Sequence, residues 1–238
     1  MLHFKKKCQV LPLIILFLFL DIKITNAQKT RLLRQPDINA THIVFTYAND
    51  IWVHTFDTNE TKRITSTPAG ESNPYLSPDG KWIAFTSNKS GSNAVYIVSI
   101  LGGETTRLTW HPNGSDVRGW PNDGTSVLYA SSRETAPRPY NRLWTVPVKG
   151  GAPTLISKQW GYDGSFSEDG QRMVVDKMSR WDGEWSAYRG GQNTPLILLY
   201  LKISEEILLP HTNTTDVQPL WIGDAIYFLS DRDFVMNI

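Results

Sequence analysis

A short phrase recurs along the sequence and limits the folds that the chain can adopt. It consists of a turn that contains Asp-Gly, followed directly by an apolar segment. Three copies occupy residues 77–85, 122–129 and 167–175, and a weaker copy with Gly-Asp occupies residues 223–228. The turn glycines Gly80 and Gly124 are 44 residues apart, and Gly124 and Gly170 are 46 residues apart. Repeats of this length indicate a propeller or a solenoid.

Each repeat contains the parts of a four-stranded antiparallel meander. After the phrase come a variable loop, another strand, a tight turn and a short final strand. The strands that follow the variable loops cover residues 51–53, 95–98, 143–146 and 196–199. We therefore predict an all-β chain, a β-propeller of four-stranded antiparallel blades with about four complete blades and a truncated fifth. The units fall near residues 37–69, 70–113, 114–160, 161–213 and 214–238.

The first 27 residues differ in character from the repeats. Three lysines at positions 5–7 lead into an apolar run from Leu11 to Leu20 that is too short to cross a bilayer, and small residues precede Gln28. We predict a secretory signal peptide cleaved after Ala27, which makes the remaining chain secreted or periplasmic. The alternative is an uncleaved membrane anchor, although charged residues follow the apolar run directly.

Composition excludes several classes of partner and chemistry. Residues 28–238 carry 20 basic and 22 acidic side chains, a formal charge of −2, which gives no basis for a nucleic-acid or anionic membrane partner. The only cysteine, Cys8, lies in the predicted signal peptide, so residues 28–238 cannot form a disulfide. Aromatic residues make up 11% of the chain, which suits a β-rich fold.

The sequence offers no evident catalytic, cofactor-binding or metal-binding motif. No serine has a glycine two residues away on both sides, as a nucleophile elbow requires, and no phosphate-binding glycine loop occurs. The histidines lack the spacing of metal ligands. The repeated aspartates lie in turns, where their side chains can accept backbone hydrogen bonds; they are Asp79, Asp123 and Asp169. The strand aromatics are expected to pack between blades; they are Trp52, Trp82, Trp144 and Tyr96.

Two loops depart from the repeat and are the candidate contact sites for a substrate or partner. The loop between Asp176 and Thr194 is rich in arginine and aromatic residues, which are common at recognition surfaces. A shorter loop between Arg133 and Arg142 is stiffened by prolines. The predicted contact residues are Arg180, Trp181, Trp185, Tyr188 and Arg189 in the first loop, and Arg138 and Tyr140 in the second. The alternative is that the longer loop only packs against a neighbouring domain.

Residues 77–85 and 102–109 resemble the propeller repeats shared by TolB and tricorn-type proteases. Residues 49–53 and 179–195 are similar to the amino-terminal propeller of secreted bacterial tricorn homologues, and the resemblance covers residues 31–238. It implies a large serine peptidase of class S41, with a six-bladed amino-terminal propeller, a second propeller, a PDZ domain and a catalytic core. None of the last three matches this chain, so the resemblance assigns no catalytic residue here.

The resemblance implies a non-catalytic propeller that guides or filters peptides toward a remote catalytic core. The expected partners are peptides or unfolded polypeptide and the other domains of the parent chain, with homo-oligomerisation of the full-length protein left open. One alternative is a TolB-like module that binds another envelope protein. A second is the propeller of a prolyl oligopeptidase-like peptidase, followed by an α/β-hydrolase domain. Because the fifth unit ends before its last two strands, we expect the sequence to be a fragment.

Overall fold

The computed structural model describes residues 32–137, 139–177, 195–212, 214–233 and 235–238. All regular structure in these ranges is β, arranged as antiparallel sheets. No helix in the described ranges is long and apolar enough to span a membrane.

Five sheets follow one another along the chain. The first contains β1 (Arg34–Ile38), β2 (His42–Tyr47), β3 (Asp50–Thr55) and β4 (Glu60–Arg63). The second contains β5 (Glu71–Leu76), β6 (Trp82–Ser87), β7 (Ala94–Ser99) and β8 (Thr106–Arg107). The third contains β9 (Asp116–Gly119), β10 (Ser126–Ser131), β11 (Arg142–Pro147) and β12 (Thr154–Leu155). The fourth contains β13 (Asp163–Phe166), β14 (Arg172–Asp176), β15 (Ile197–Tyr200) and β16 (Glu205–Leu208), and the fifth contains β17 (Asp216–Ile222) and β18 (Ala225–Ser230).

The arrangement of these sheets is that of propeller blades. Within each sheet the strands are hydrogen-bonded in chain order, and the first strands of successive sheets, β1, β5, β9, β13 and β17, contact one another. The prediction of an all-β propeller with four four-stranded blades and a shorter fifth is confirmed. The first blade begins at Arg34, slightly before the unit boundary near residue 37.

The core lies between neighbouring blades. The second strand of a blade is packed on both of its faces, so β6 is buried from Ile83 to Ser87 and β10 from Val127 to Ser131. This explains why the segment after each Asp-Gly turn is a continuous apolar run rather than an alternating one. Among the strand aromatics, Tyr96 and Trp144 are buried as predicted, whereas Trp52 is half-buried and Trp82 is 43% exposed.

The Asp-Gly turns are stabilised by their own side chains. The Ser77 hydroxyl donates to Asp79 over 2.6 Å, and the same carboxylate accepts the Lys81 backbone N–H. Ser167 and Asp169 repeat this geometry in the fourth blade. These hydrogen bonds favour the charged form and lower the pKa of both aspartates. The structural interpretation of Asp79 and Asp169 is therefore correct.

The first strands are interrupted by bulges, which leave backbone N–H groups without a ladder partner. Register shifts mark β1, β5, β9 and β17. In three of these strands the bulge contains an amide residue with left-handed backbone directly before proline. These residues are Gln35 (φ 53°), Asn73 (φ 50°) and Gln218 (φ 53°).

Side chains of the preceding blade accept hydrogen bonds from N–H groups of these bulged strands. Gln35 Oε1 accepts from Asn73 N at 3.0 Å, and Asp37 Oδ2 accepts from Leu76 N at 2.7 Å. Three further N–H groups donate to a side chain of the preceding blade in the same way. Val117 N donates to Thr86 Oγ1, Gln218 N to Asp176 Oδ2, and Trp221 N to Ser165 Oγ. These hydrogen bonds join the first blade to the second, the second to the third and the fourth to the fifth at the axis, in addition to apolar packing.

We predict that Gly164→Ala destabilises the fourth blade. A Cβ at this position would lie 2.6 Å from Met173 Cε and 2.7 Å from the Val174 carbonyl oxygen, so strand β14 would have to move. The expected loss is about 1–3 kcal/mol of unfolding free energy, measured by denaturant titration. Gly70→Ala is the matched control, because its Cβ would meet nothing closer than 3.9 Å. Equal effects of the two substitutions would contradict the prediction.

Glu71 gives the stability of the chain a predictable dependence on pH. Burial raises the pKa of Glu71, and the nearby negative charge of Asp50 adds to this, although hydrogen bonds from Thr65 and Thr67 act in the opposite direction. A carboxyl whose pKa is higher in the folded state binds protons more readily there, so folding is favoured as pH falls through the raised pKa.

We therefore expect the native chain to gain stability relative to Glu71→Gln as pH is lowered from about 8 to about 5. Denaturant unfolding at several pH values measures this difference. Glu60→Gln, which changes an exposed glutamate in β4, serves as the control. A difference between native chain and Glu71→Gln that stays constant, or that shrinks toward low pH, would refute the prediction.

Candidate functional site

An axial channel runs between the first strands of the five sheets. One cavity of about 460 Å³ and another of about 430 Å³ share the lining residues Pro36, Tyr75, Arg118, Asp163 and Gln218. Because these residues line both cavities, the two cavities lie next to each other. We call the two together the axial channel, and their walls combine residues from all five sheets.

One half of the axial channel is polar. It lies toward the amino-terminal ends of the first strands, and we call it the polar half. The side chains that distinguish it are amides and carboxylates from several blades, namely Gln35, Asn73, Asp116, Asp163, Asp176 and Gln218. An amide residue with left-handed backbone occurs at the same place in three blades, at Gln35, Asn73 and Gln218. Asparagine tolerates this conformation better than most residues.

The other half of the axial channel contains aromatic and apolar residues beside polar ones. It lies toward the carboxyl-terminal ends of the first strands, and we call it the aromatic half. Its wall includes Trp120, Phe166, Leu220 and Trp221. The indole of Trp120 donates to the Tyr75 carbonyl oxygen at 3.0 Å, which connects the third blade to the second. Leu220 remains 52% exposed, so this wall presents an apolar surface to the channel.

Among the described residues that line the two cavities, Arg118 is the only arginine or lysine. Its Nε donates to the Tyr162 carbonyl oxygen at 2.8 Å, and its guanidinium lies 4.2 Å from the centre of the Tyr162 ring. The residue is 7% exposed. Burial alone would lower the pKa of Arg118, but the negative charges of Asp163 and Asp116 outweigh it and raise the pKa. The guanidinium is therefore firmly charged.

The carboxylates of the polar half accept hydrogen bonds from nearby N–H groups. Asp116 Oδ1 accepts from the Asn93 side chain at 2.8 Å, and Asp163 Oδ1 accepts from Gly164 N at 2.8 Å. Asp176 Oδ2 accepts from Gln218 N at 3.0 Å. Among the described residues, three aspartates and one arginine line the polar half. Across the described ranges, no group of three or more His, Cys, Asp or Glu residues could hold a metal ion.

Most of the contact residues predicted from the sequence lie outside the described residues. These are Arg138, Arg180, Trp181, Trp185, Tyr188 and Arg189. Tyr140 is described, in the loop between β10 and β11. Its ring stacks on Trp160 with centroids 5.2 Å apart, and its hydroxyl accepts from Arg142 at 2.6 Å. Tyr140 is not among the residues that line the axial channel.

The channel residues themselves were not predicted as a site. The sequence does contain a signal for three of them, because an amide residue precedes proline at Gln35-Pro36, Asn73-Pro74 and Gln218-Pro219, each near the start of a repeat unit. The signal for the aspartates is weaker, since each is a single acidic residue in a short strand.

Sheets with this strand order, whose first strands surround a channel, define the chain as a β-propeller. Residues 30–238 match the family described as the tricorn protease N-terminal beta propeller domain. The chain belongs to that family, as its sequence resemblance implied.

Known proteins agree with this assignment. Tricorn protease homolog 1 of Streptomyces coelicolor is 29% identical over 206 residues, which cover 84% of this chain and 19% of that protein. The chain therefore spans about one fifth of the length of this relative. The crystal structure of the tricorn protease superposes with a TM-score of 0.68 at 23% identity, over 86% of this chain and 21% of that one. A TolB structure from Agrobacterium tumefaciens gives a TM-score of 0.68 at 17% identity, over 84% and 70%.

We predict that Arg118→Met destabilises the fold. The substitution removes the hydrogen bond to the Tyr162 carbonyl oxygen and the positive charge that Arg118 places near Asp163. Hydrogen bonds to charged groups contribute about 1.5–3 kcal/mol, and we expect a loss of this size in denaturant unfolding. Arg34→Met, at an exposed arginine of β1, should change stability by less than about 0.5 kcal/mol. Similar losses for both variants would show that the location of Arg118 in the channel does not account for its contribution to stability.

Proposed function

We propose that this chain is the non-catalytic propeller portion of a secreted tricorn-like serine protease. In this proposal its axial channel guides or filters peptide substrates toward an S41-type catalytic core carried by other domains. Residues 1–27 act as a signal peptide that directs the protein to the periplasm or the outside of the cell. The proposal for the parent protein rests on the family of the chain and on relatives named as tricorn proteases.

The observation that carries the proposal is the axial channel itself. Its two parts, of about 460 and 430 Å³, lie in the size range of protein ligand sites, about 300–1,000 Å³. Peptide main chains need hydrogen-bond donors and acceptors along their length. The amides of Gln35 and Asn73 line the polar half and bond to each other at 2.8 Å, and each amide nitrogen has a further hydrogen that a peptide carbonyl can accept. The aromatic half includes apolar surface for side chains.

A second candidate is a TolB-like module whose propeller face binds another envelope protein. The structural likeness to TolB favours it, although at 17% identity this likeness concerns the fold alone. The two candidates differ in where the ligand binds. A peptide guide uses the axial channel, whereas a module that binds a folded partner uses an outer face and does not need the channel to be open.

Blocking the channel distinguishes the two candidates. Because Cys8 is the only cysteine of the chain, a Cys8→Ser background allows one new cysteine to be labelled selectively. Pro36→Cys places the thiol at an exposed position that lines both halves of the channel. Thr58→Cys places it in the exposed hairpin between β3 and β4 and serves as the control.

We predict that a bulky maleimide at position 36 weakens binding of a fluorescently labelled, unstructured peptide by about tenfold or more, because it occupies the channel. Such a change corresponds to about 1.4 kcal/mol of binding free energy. The same label at position 58 should leave the affinity unchanged. Fluorescence anisotropy measures both. Peptide binding that is insensitive to the label at position 36, or no peptide binding by the unlabelled chain, would overturn the proposal.

A further inference from the structure

The hydrogen bonds of the Gln35 side chain fix which atom of its amide accepts and which donates. Gln35 Oε1 lies 3.0 Å from the backbone nitrogen of Asn73. A backbone N–H can only donate, so the atom that faces it is the amide oxygen. The buried Thr46 hydroxyl donates to the same oxygen at 3.2 Å. The other terminal atom of the Gln35 amide is therefore the nitrogen, which is a donor.

This assignment determines the orientation of the second amide on the wall. Gln35 Nε2 donates to Asn73 Oδ1 at 2.8 Å, so the oxygen of the Asn73 side chain is turned toward Gln35. Within the described ranges this is the one hydrogen bond of the Asn73 side chain. Asn73 is half-buried and lines the polar half, and its Nδ2 carries two hydrogens that can be donated to a ligand. A group that only donates is satisfied by an oxygen acceptor.

The local backbone holds this donor in place. Asn73 has left-handed backbone at φ 50° and is followed by the buried Pro74, whose ring fixes its own φ. A donor that is already oriented loses little conformational entropy when a ligand binds. Side chains differ from one peptide to the next, but every peptide unit contains a carbonyl oxygen. A fixed donor at this position is therefore suited to the peptide main chain.

We infer that Asn73 is the residue through which the axial channel binds the peptide main chain. Its Nδ2 donates to a main-chain carbonyl oxygen of the peptide, and Gln35 sets the direction of this hydrogen bond. The inference rests on the proposed function and specifies how the channel recognises its substrate class. Binding at this point depends on the main chain and is independent of the side chains of the peptide.

The test uses two unstructured peptides of about 12 residues with blocked ends and no charged side chains. The first contains only glycine and serine, and in the second every third residue is leucine. Asn73→Asp keeps the shape of the side chain and an oxygen that accepts from Gln35, but it replaces the donor with an acceptor. Fluorescence anisotropy with the full chain is expected to show an affinity loss of about fivefold, the size of one hydrogen bond, for both peptides alike.

Asn59→Asp is the matched control. Asn59 also has left-handed backbone, at φ 54°, but it lies in the exposed hairpin between β3 and β4. This variant adds the same charge away from the channel and should bind both peptides as the native chain does. Equal losses at positions 59 and 73 would overturn the inference. A loss at position 73 for only one of the two peptides would also overturn it, because it would show that side chains are recognised there.

Gln35→Glu tests the direction of the hydrogen bond without changing Asn73. Both oxygens of the new carboxylate accept, so the Asn73 amide has to turn over and donate through Nδ2, and its Oδ1 then takes the place of the free donor. The pair keeps its hydrogen bonds, so the variant is expected to fold, which its denaturant unfolding transition checks. We expect the same loss of peptide affinity as for Asn73→Asp. Native affinity in the folded variant would refute the inference.

The outcomes separate this inference from the proposed function. If both peptides bind the native chain, a label at position 36 blocks them and Asn73→Asp binds them equally well, the role of Asn73 is refuted and the guiding channel stands. If neither peptide binds the native chain, both the role of Asn73 and the proposed function are overturned.

Discussion

The structure depends on hydrogen bonds that join each blade to the next at the axis. Bulges in the first strands free backbone N–H groups, and a buried N–H without a partner costs about 1–3 kcal/mol. Acceptors on the preceding blade, such as Gln35, Asp37 and Thr86, remove this cost. The same bulges direct amide side chains into the channel. The bulges therefore both allow hydrogen bonds between blades and supply the amides of the polar wall.

The sequence predicts the blades well because their signals are local. The Asp-Gly turns, the apolar second strands and the repeat length are each visible within one unit, and the burial of β6 and β10 follows from them. Trp82 departs from the expected packing because it is the first residue of β6, at the exposed end of the blade. The position within the strand decides its burial, and residue type alone does not indicate that position.

The channel was harder to predict because its residues are distant in sequence. Hydrogen bonds across it join residues 38 to 42 positions apart, as in Gln35 with Asn73 and Asp176 with Gln218. Each blade contributes three to six of the described lining residues, most of them from its short first strand, so no single window of sequence contains the site. Arg118 illustrates this, because its hydrogen bond and its raised pKa depend on Tyr162 and Asp163 of the following blade.

The inter-blade hydrogen bonds to bulge N–H groups also have a direction along the chain. In these bonds the acceptor side chain belongs to the earlier blade and the backbone donor to the later one. Between the third and fourth blades the direction is reversed, because Arg118 donates to the Tyr162 carbonyl oxygen. Removing one of the acceptor side chains therefore leaves an unpaired N–H in the following blade rather than in the blade that carries the substitution.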